Sequence, residues 1–217
     1  DDYVSIPGTW GGASLTELTI EGWINTNNPA AFQHILSSNE SNEFVHFSVG
    51  GNTLGVAVYA DNAYFPIIGT ATLPQNEWVH VALVVKSGDS RLYINGVLDK
   101  TVTNTFSYIN ATSNLTIGKY INERFFNGSM DEIRIWNKAR SGKEIRQTMD
   151  KTLAGNEPNL AGYWNFDEGS GTTVNDLTSN NNDGTLEGGT ARSTSSAPLR
   201  PADIRIPGIV TFDGVND

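Results

Sequence analysis

Short runs in which β-branched or aromatic residues alternate with polar ones most constrain the fold of this chain. Clusters of Gly, Asn, Asp, Ser and Pro separate these runs. Alternation with a period of two places apolar side chains on one face of a β-strand, and the intervening clusters are typical of turns. The sequence therefore predicts an all-β fold of many antiparallel strands.

The runs predict strands along most of the chain. They cover residues 3–6, 18–25, 34–38, 44–49, 53–59, 78–86, 91–94, 114–119, 129–136 and 162–166. The run 78–86 is almost continuously apolar and is expected to lie in the middle of a sheet. Asn95-Gly96 stands between two hydrophobic runs, which is a strong hairpin signal.

Only residues 141–149 have a helical pattern. Ser141 and Glu144 have the spacing of a capping box, and Ile145 and Met149 lie one turn apart. A helix this short is marginal in isolation, so we expect Ile145 and Met149 to dock on the sheets.

Composition excludes several functions. With 38% hydrophobic residues and no long apolar run, the chain is not expected to insert into a membrane. A net charge of −10 argues against nucleic acid and against an anionic membrane surface as partners. The lack of cysteine excludes disulfides, thiolate zinc sites and a cysteine nucleophile.

The 217 residues are expected to form one domain. Residues 190–217 are rich in small residues and Pro, and are either a linker and the start of a following repeat or a strand that completes the sandwich. Asn216-Asp217 can be placed in the register of Asp1-Asp2, which suggests tandem repeats whose period is close to the chain length.

Several short motifs follow one another along the chain. They are 212–217 continued by the register of 3–7, then 76–82, 92–96, 128–137, 139–145, and 162–172 followed by Asp176 and 184–186. In order and spacing they resemble the laminin-G-like, concanavalin-A-like jelly-roll domains of the lectin and glucanase superfamily. The resemblance implies a two-sheet antiparallel jelly-roll sandwich.

The same resemblance implies a structural calcium ion. Asp131 begins a strand whose leading Asp, in the family, often holds calcium against the N-terminal motif. Oxygen atoms suited to calcium occur in this strand and the partnering motif at Asp131, Asp1, Asp2, Asp213, Gly214 and Asn216. The alternative is that Asp131 only caps a turn.

Two loops mix aromatic with polar residues and are candidates for ligand binding. Their candidate residues are Tyr59, Asp61, Asn62, Tyr64, Tyr120, Asn122 and Arg124. Aromatic faces can stack on sugar rings, and the polar groups can bond hydroxyls. The alternative is that these aromatic residues pack the ends of the sandwich.

No catalytic residue is predicted. The paired carboxylates that glycosidases use do not occur with the alternate spacing of glucanase strands, and there is no nucleophile elbow. We expect His34, His46 and His80 to be packed or hydrogen-bonded inside strands. We expect the same of the tryptophans inside strands, Trp23, Trp78, Trp136 and Trp164.

These observations predict a non-catalytic, calcium-supported module that is secreted or on a bacterial cell surface and mediates adhesion. Its expected partners are a glycan or cell-surface protein and the neighbouring repeat. Tandem display would raise a weak single-site affinity by avidity. Two alternatives stay open: a structural repeat without ligand, with strand exchange as its route of assembly, and an ancillary carbohydrate-binding domain of a larger enzyme.

Overall fold

The computed structural model describes residues 2–7, 15–38, 45–60, 63–109, 114–120, 123–189, 191–193, 196–199 and 209–213. Their strands are β1 (Tyr3–Ile6), β2 (Glu17–Thr26), β3 (Gln33–Ser38), β4 (Val45–Gly50), β5 (Thr53–Ala60), β6 (Ala63–Ile68), β7 (Trp78–Lys86), β8 (Ser90–Ile94), β9 (Val97–Val102), β10 (Leu115–Ile117), β11 (Asn127–Trp136), β12 (Leu160–Trp164), β13 (Thr173–Val174), β14 (Gly184–Glu187), β15 (Ala191–Ser193) and β16 (Ile209–Asp213). The described helix is α1 (Gly142–Thr148).

The strands form two antiparallel sheets. Sheet A has the order β13-β14-β1-β10-β3-β4-β5-β6, and sheet B has the order β15-β16-β11-β2-β7-β8-β9, with β12 also paired to β11. This arrangement confirms the predicted two-sheet jelly-roll sandwich with one short helix. Strand β7 lies between β2 and β8, as its apolar run predicts.

The core lies between the sheets, and alternation in each strand decides which side chains enter it. In β5, Leu54, Val56 and Val58 are buried in the core, whereas Ala57 and Tyr59 between and beyond them are only partly buried. The second set faces outward because successive side chains of a strand point to opposite faces. The same rule brings polar and aromatic side chains to the outer face of sheet A.

The outer face of sheet B is covered. Ile145 of α1 is fully buried against Ala82, Val84 and Tyr93 of β7 and β8. The capping box predicted at Ser141 is present, with both of its reciprocal hydrogen bonds.

A buried polar network holds this cover in place. The carboxylate of Glu21 accepts a hydrogen bond from Trp136 Nε1 at 2.9 Å and forms an ion pair with Arg140. Arg134 pairs with Glu132 and donates to the carbonyl of Thr148, the last residue of α1, and to that of Lys151 in the segment after it. These contacts join sheet B to the helix and to the chain that follows it.

The C-terminal part of the chain pairs within the sandwich. Strands β12 and β16 pair with β11, and β14 pairs with β1. The carboxylate of Asp176 accepts hydrogen bonds from the backbone N–H groups of Tyr163, Thr178 and Asn182 and from the Thr178 hydroxyl, at 3.0–3.1 Å. This buried Asp therefore organises its loop by hydrogen bonding.

Candidate functional site

A cleft of about 300 Å³ opens on the outer face of sheet A. Its side chains come from β3 to β6 and from the segments that precede β3 and follow β10. The main ones are Phe32, His34, His46, Ser48, Tyr64, Pro66, Ile68, Tyr120 and Arg124. We call it the sheet A cleft.

Aromatic rings in contact form the floor of the sheet A cleft. The ring of His46 lies 4.2 Å from that of Tyr120, centroid to centroid, and 5.7 Å from that of His34. His34 in turn lies 4.9 Å from Tyr120 and 5.3 Å from Phe32. Most of these pairs meet edge to face, the arrangement that aromatic quadrupoles favour.

The two histidines of the floor are buried. Burial, together with the smaller effects of the neighbouring His46 and Arg124, lowers the pKa of His34 to about 3. His34 is therefore neutral at neutral pH, and its Nδ1 atom has no hydrogen-bond partner. The Nε2 atom of His46 lies 3.3 Å from the Tyr64 hydroxyl. The floor thus combines ring surface with imidazole nitrogen atoms, and the imidazole of His34 is neutral.

Arg124 lies at one side of the sheet A cleft and has a left-handed backbone conformation, with φ of 61°. Its carbonyl accepts the backbone N–H of His34 at 3.1 Å, which anchors the segment to β3. Its guanidinium lies 4.8 Å from the ring centre of Phe32 and 5.8 Å from that of Tyr120. A positive φ in a non-glycine residue costs about 1–3 kcal/mol and often marks a functional site.

Large side chains of the sheet A cleft are also exposed. Phe32 is 52% exposed, Tyr64 49% and Ile68 64%, although all three are apolar or aromatic. None of the described lining residues is Asp or Glu. A concave site with apolar walls and a few convergent polar groups is the usual form of a small-ligand site.

The structure brings together residues from both loops that the sequence singled out. Tyr64, Tyr120 and Arg124 all line the sheet A cleft. The ring of Tyr59 lies 5.2 Å from that of Tyr64. The other predicted ligand residues, Asp61, Asn62 and Asn122, lie outside the described residues.

Sequence reasoning did not assign Phe32, His34, His46 or Ile68 to a ligand site. The two histidines are packed as expected, but they also form the floor of the cleft. A signal was available in β4, where His46 and Ser48 alternate with buried apolar residues and so face outward. Three tryptophans predicted as packed, Trp23, Trp136 and Trp164, are buried.

The predicted calcium residues are engaged elsewhere or lie outside the described part. Asp131 is 0% exposed, and its Oδ2 accepts the Ala197 N–H at 2.9 Å. Asp2 Oδ1 accepts the Gly189 N–H at 2.6 Å. Asp213 ends β16 opposite Asn127, and Asp1, Gly214 and Asn216 are not among the described residues.

Within the described ranges, no group of three or more His, Asp or Glu side chains could hold a metal ion. The buried Asp131 carboxylate suits calcium chemically, and calcium also takes amide and backbone carbonyl oxygens. Calcium binding therefore stays a prediction.

A second cleft of about 290 Å³ lies on sheet A, between β1 and β10. Its lining includes Tyr3, Ser5, Thr116 and Lys119. The Lys119 ammonium lies 3.9 Å from the ring centre of Tyr3. Tyr3 is the one aromatic residue in the described lining of this second cleft, whereas Phe32, Tyr64 and Tyr120 line the sheet A cleft.

Comparison with protein families gives a match over residues 1–146 to the model described as "Concanavalin A-like lectin/glucanases superfamily". No curated protein sequence matches the chain. Among the described residues, the structure has no helix with the length and hydrophobicity needed to span a lipid bilayer.

Solved structures share the fold. A "putative carbohydrate binding protein" from Bacteroides ovatus is 23% identical with a TM-score of 0.72, and the match covers 87% of this chain and 56% of that one. This chain therefore spans little more than half of that protein.

Two further matches have lower scores. The Ruminococcus gnavus IT-sialidase CBM40 bound to α2,3 sialyllactose is 18% identical with a TM-score of 0.54, covering 67% of this chain and 93% of that one. Domain 4 of AbnA, an extracellular arabinanase from Geobacillus stearothermophilus, in complex with arabinotriose, is 20% identical with a TM-score of 0.52, covering 67% and 71%.

Proposed function

This chain belongs to the concanavalin A-like lectin/glucanases superfamily, and we propose that it is a non-catalytic module that binds glycans in the sheet A cleft. The observation that carries the proposal is the composition of the cleft. The exposed side chains of Phe32, Tyr64 and Arg124 line it together with the buried rings of His34 and His46. A sugar ring has an apolar face of C–H groups and a rim of hydroxyls, so it needs both kinds of surface.

The covering of sheet B supports the choice of sheet A. Helix α1 and the segment after it bury much of the outer face of sheet B, and the ion pairs of Glu21 and Arg134 fasten them. No element among the described residues covers the sheet A cleft in this way, and large aromatic side chains remain exposed there. Exposed apolar surface of this kind often marks a binding site.

Relatives of the fold agree with this proposal. The Ruminococcus gnavus module is bound to α2,3 sialyllactose and the Geobacillus stearothermophilus domain to arabinotriose. Both are oligosaccharides, although they differ in charge and sugar type. At this level of identity they support a glycan as the ligand class, and the particular sugar must be found by experiment.

A binding role fits the cleft better than hydrolysis. Hydrolysis of a glycosidic bond commonly needs two carboxyl groups on either side of the bond, about 5–9.5 Å apart. The described lining of the sheet A cleft contains no carboxylate. Glu21 and Glu132 are buried beneath the cover of sheet B and are already bonded to arginines.

The proposal extends to the setting of the module. We place it on the cell surface or in a secreted protein, as one of several tandem copies that adhere to a glycan or to a cell-surface protein. Avidity between copies would raise a weak single-site affinity. A calcium ion near Asp131 would stabilise sheet B around β11; the support for it is the buried carboxylate and the family motif.

A glycan array tests the function, with purified wild-type protein and two tyrosine variants. Tyr64→Ala removes an exposed ring from the sheet A cleft, and we expect it to lower binding by roughly tenfold or more, as expected for a lost aromatic contact of about 1.5 kcal/mol. Tyr108→Ala is the matched control, because Tyr108 is 41% exposed but does not line the cleft. Equal losses in both variants, or binding to no saccharide, would refute the proposal.

A further inference from the structure

Arg124 differs from the other described arginines in its bonding. Six arginines lie in the described residues: Arg91, Arg124, Arg134, Arg140, Arg146 and Arg192. Four of them form ion pairs with Asp or Glu, and Arg146 donates to the Gly96 carbonyl at 2.5 Å. The guanidinium of Arg124 has neither an ion pair nor a hydrogen bond within the described part of the chain; its contacts are the rings of Phe32 and Tyr120.

An unpaired arginine is unexpected in this sequence. Acidic residues outnumber basic ones by 24 to 14, so carboxylates are plentiful as partners. The described lining of the sheet A cleft nevertheless contains none, and Arg124 is its charged side chain. The neighbouring His34 is neutral, because burial and adjacent positive groups lower its pKa. The described lining of the sheet A cleft therefore carries the positive charge of Arg124 in a protein whose net charge is −10, and Glu123 lines an adjoining cleft that shares Arg124 and Phe32.

The backbone of Arg124 is anchored to β3, because its carbonyl accepts the His34 N–H. Its exposed guanidinium lies within cation–π distance of the rings of Phe32 and Tyr120. A guanidinium whose face lies over an aromatic ring keeps the N–H edge of its planar fork available. Such a fork matches a carboxylate with two parallel hydrogen bonds, which adds both strength and geometric selectivity.

We propose that the sheet A cleft selects glycans that carry a carboxylated sugar, a uronic or sialic acid, and that Arg124 binds the carboxylate. This inference rests on the proposed glycan-binding function and specifies its ligand class. The rings of Phe32 and Tyr64 contact the sugar whether or not it carries a carboxylate, and Arg124 adds the preference for negative charge.

The test starts from an array of carboxylated, sulfated and neutral oligosaccharides, followed by titration calorimetry. The calorimetric probes are two pairs of an acidic saccharide and its neutral counterpart. One pair is trigalacturonate and its methyl ester, and the other is 3′-sialyllactose and lactose. We expect wild-type protein to bind at least one acidic probe about 10- to 100-fold more tightly than its neutral counterpart. Arg124→Gln should remove that preference and leave weak binding of the neutral probe, whereas Arg124→Lys should keep part of it.

Arg146→Gln is the matched control, because it removes an equal charge on the side of sheet B and should leave the preference unchanged. Tight binding of neutral glycans by the wild type, abolished by Tyr64→Ala, would overturn the carboxylate inference and leave the glycan function intact. Binding confined to sulfated glycans would also overturn it. Binding to no saccharide would overturn the function itself.

Discussion

Replacing Glu21 with Gln tests the network that closes the outer face of sheet B. The substitution keeps the shape of the side chain and removes its charge. In the folded protein the carboxylate faces Arg140 in an ion pair, and Arg134 Nη1 lies 3.9 Å away. Arg134 keeps Glu132 as a partner, but Arg140 loses the one carboxylate it pairs with among the described residues.

The expected cost follows from burial. Both arginines and Glu21 are buried, so removing one charge leaves a desolvated cation, which typically costs about 3–5 kcal/mol. For a chain of this size, each kcal/mol shifts the unfolding midpoint by about 2–4 °C, so we expect Glu21→Gln to lower it by roughly 6–20 °C. His80 does not compensate: burial and the two arginines lower its pKa, so it is neutral at 4.0 Å from Glu21.

Differential scanning calorimetry at pH 7 measures this effect against a matched variant. Asp89→Asn makes the same acid-to-amide change in the Asp89–Arg91 pair, whose side chains are 37% and 33% exposed. Exposed pairs contribute about 0–1 kcal/mol, so we expect a shift of no more than about 4 °C. If Glu21→Gln lowers the unfolding midpoint no further than Asp89→Asn does, the buried network does not hold α1 and the segment after it on sheet B.

Three further outcomes are expected. Burial lowers the pKa of His34 to about 3 and that of His80 well below 6.5, so as pH falls these histidines take up protons in the unfolded chain before they do so in the folded one. The free energy of unfolding therefore decreases as pH falls below about 6.5. Thermal melts from pH 7 to 4.5 should show a smaller decline of the unfolding midpoint for His34→Gln and for His80→Gln than for the wild type, and an unchanged decline would contradict this. Ser141→Ala removes the capping-box hydroxyl that bonds to Glu144 and should cost about 1 kcal/mol in urea unfolding; no loss would mean that the cap is dispensable. Millimolar calcium should raise the unfolding midpoint over that in EDTA by several degrees, and Asp131→Asn should abolish the rise; a midpoint indifferent to calcium would remove the metal from the proposal.

Local signals explain what the sequence predicted well. The Asn95-Gly96 hairpin and the capping box at Ser141 are set by neighbouring residues, and the structure has both. The apolar run 78–86 gave the bounds of β7 as observed. Each of these features depends on contacts within a few residues or on a simple period, so single-sequence reasoning reaches them.

Edge strands were harder to predict. Strand β6 contains Pro66, which lacks an N–H and argues against a strand in the middle of a sheet. It lies at the edge of sheet A, where a Pro is tolerated. Strand β9 is also an edge, and its mixture of Asp99 and Lys100 with exposed Val97 and Leu98 gives no clear alternation.

The composition of the sheet A cleft depends on contacts far apart in sequence. Its aromatic loops were identified from their residue types, but Phe32 and Ile68 join them only because β3 and β6 lie in the same sheet. The role of His34 was equally hidden, since a buried histidine in a strand is usually packed. Its place beside Arg124 follows from the hydrogen bond between their backbones, which no local pattern predicts.

The three histidines of the chain make a direct test of where the ligand binds. His34 and His46 form the floor of the sheet A cleft, whereas His80 is buried in sheet B beside Trp23. Proton–carbon NMR spectra of the histidine rings, assigned with single His→Gln variants, can be followed while the best saccharide from the array is titrated. Our account predicts that the His34 and His46 signals shift with saturation and that the His80 signal does not. A shift confined to His80, or binding detected by calorimetry without movement of the two cleft signals, would contradict it.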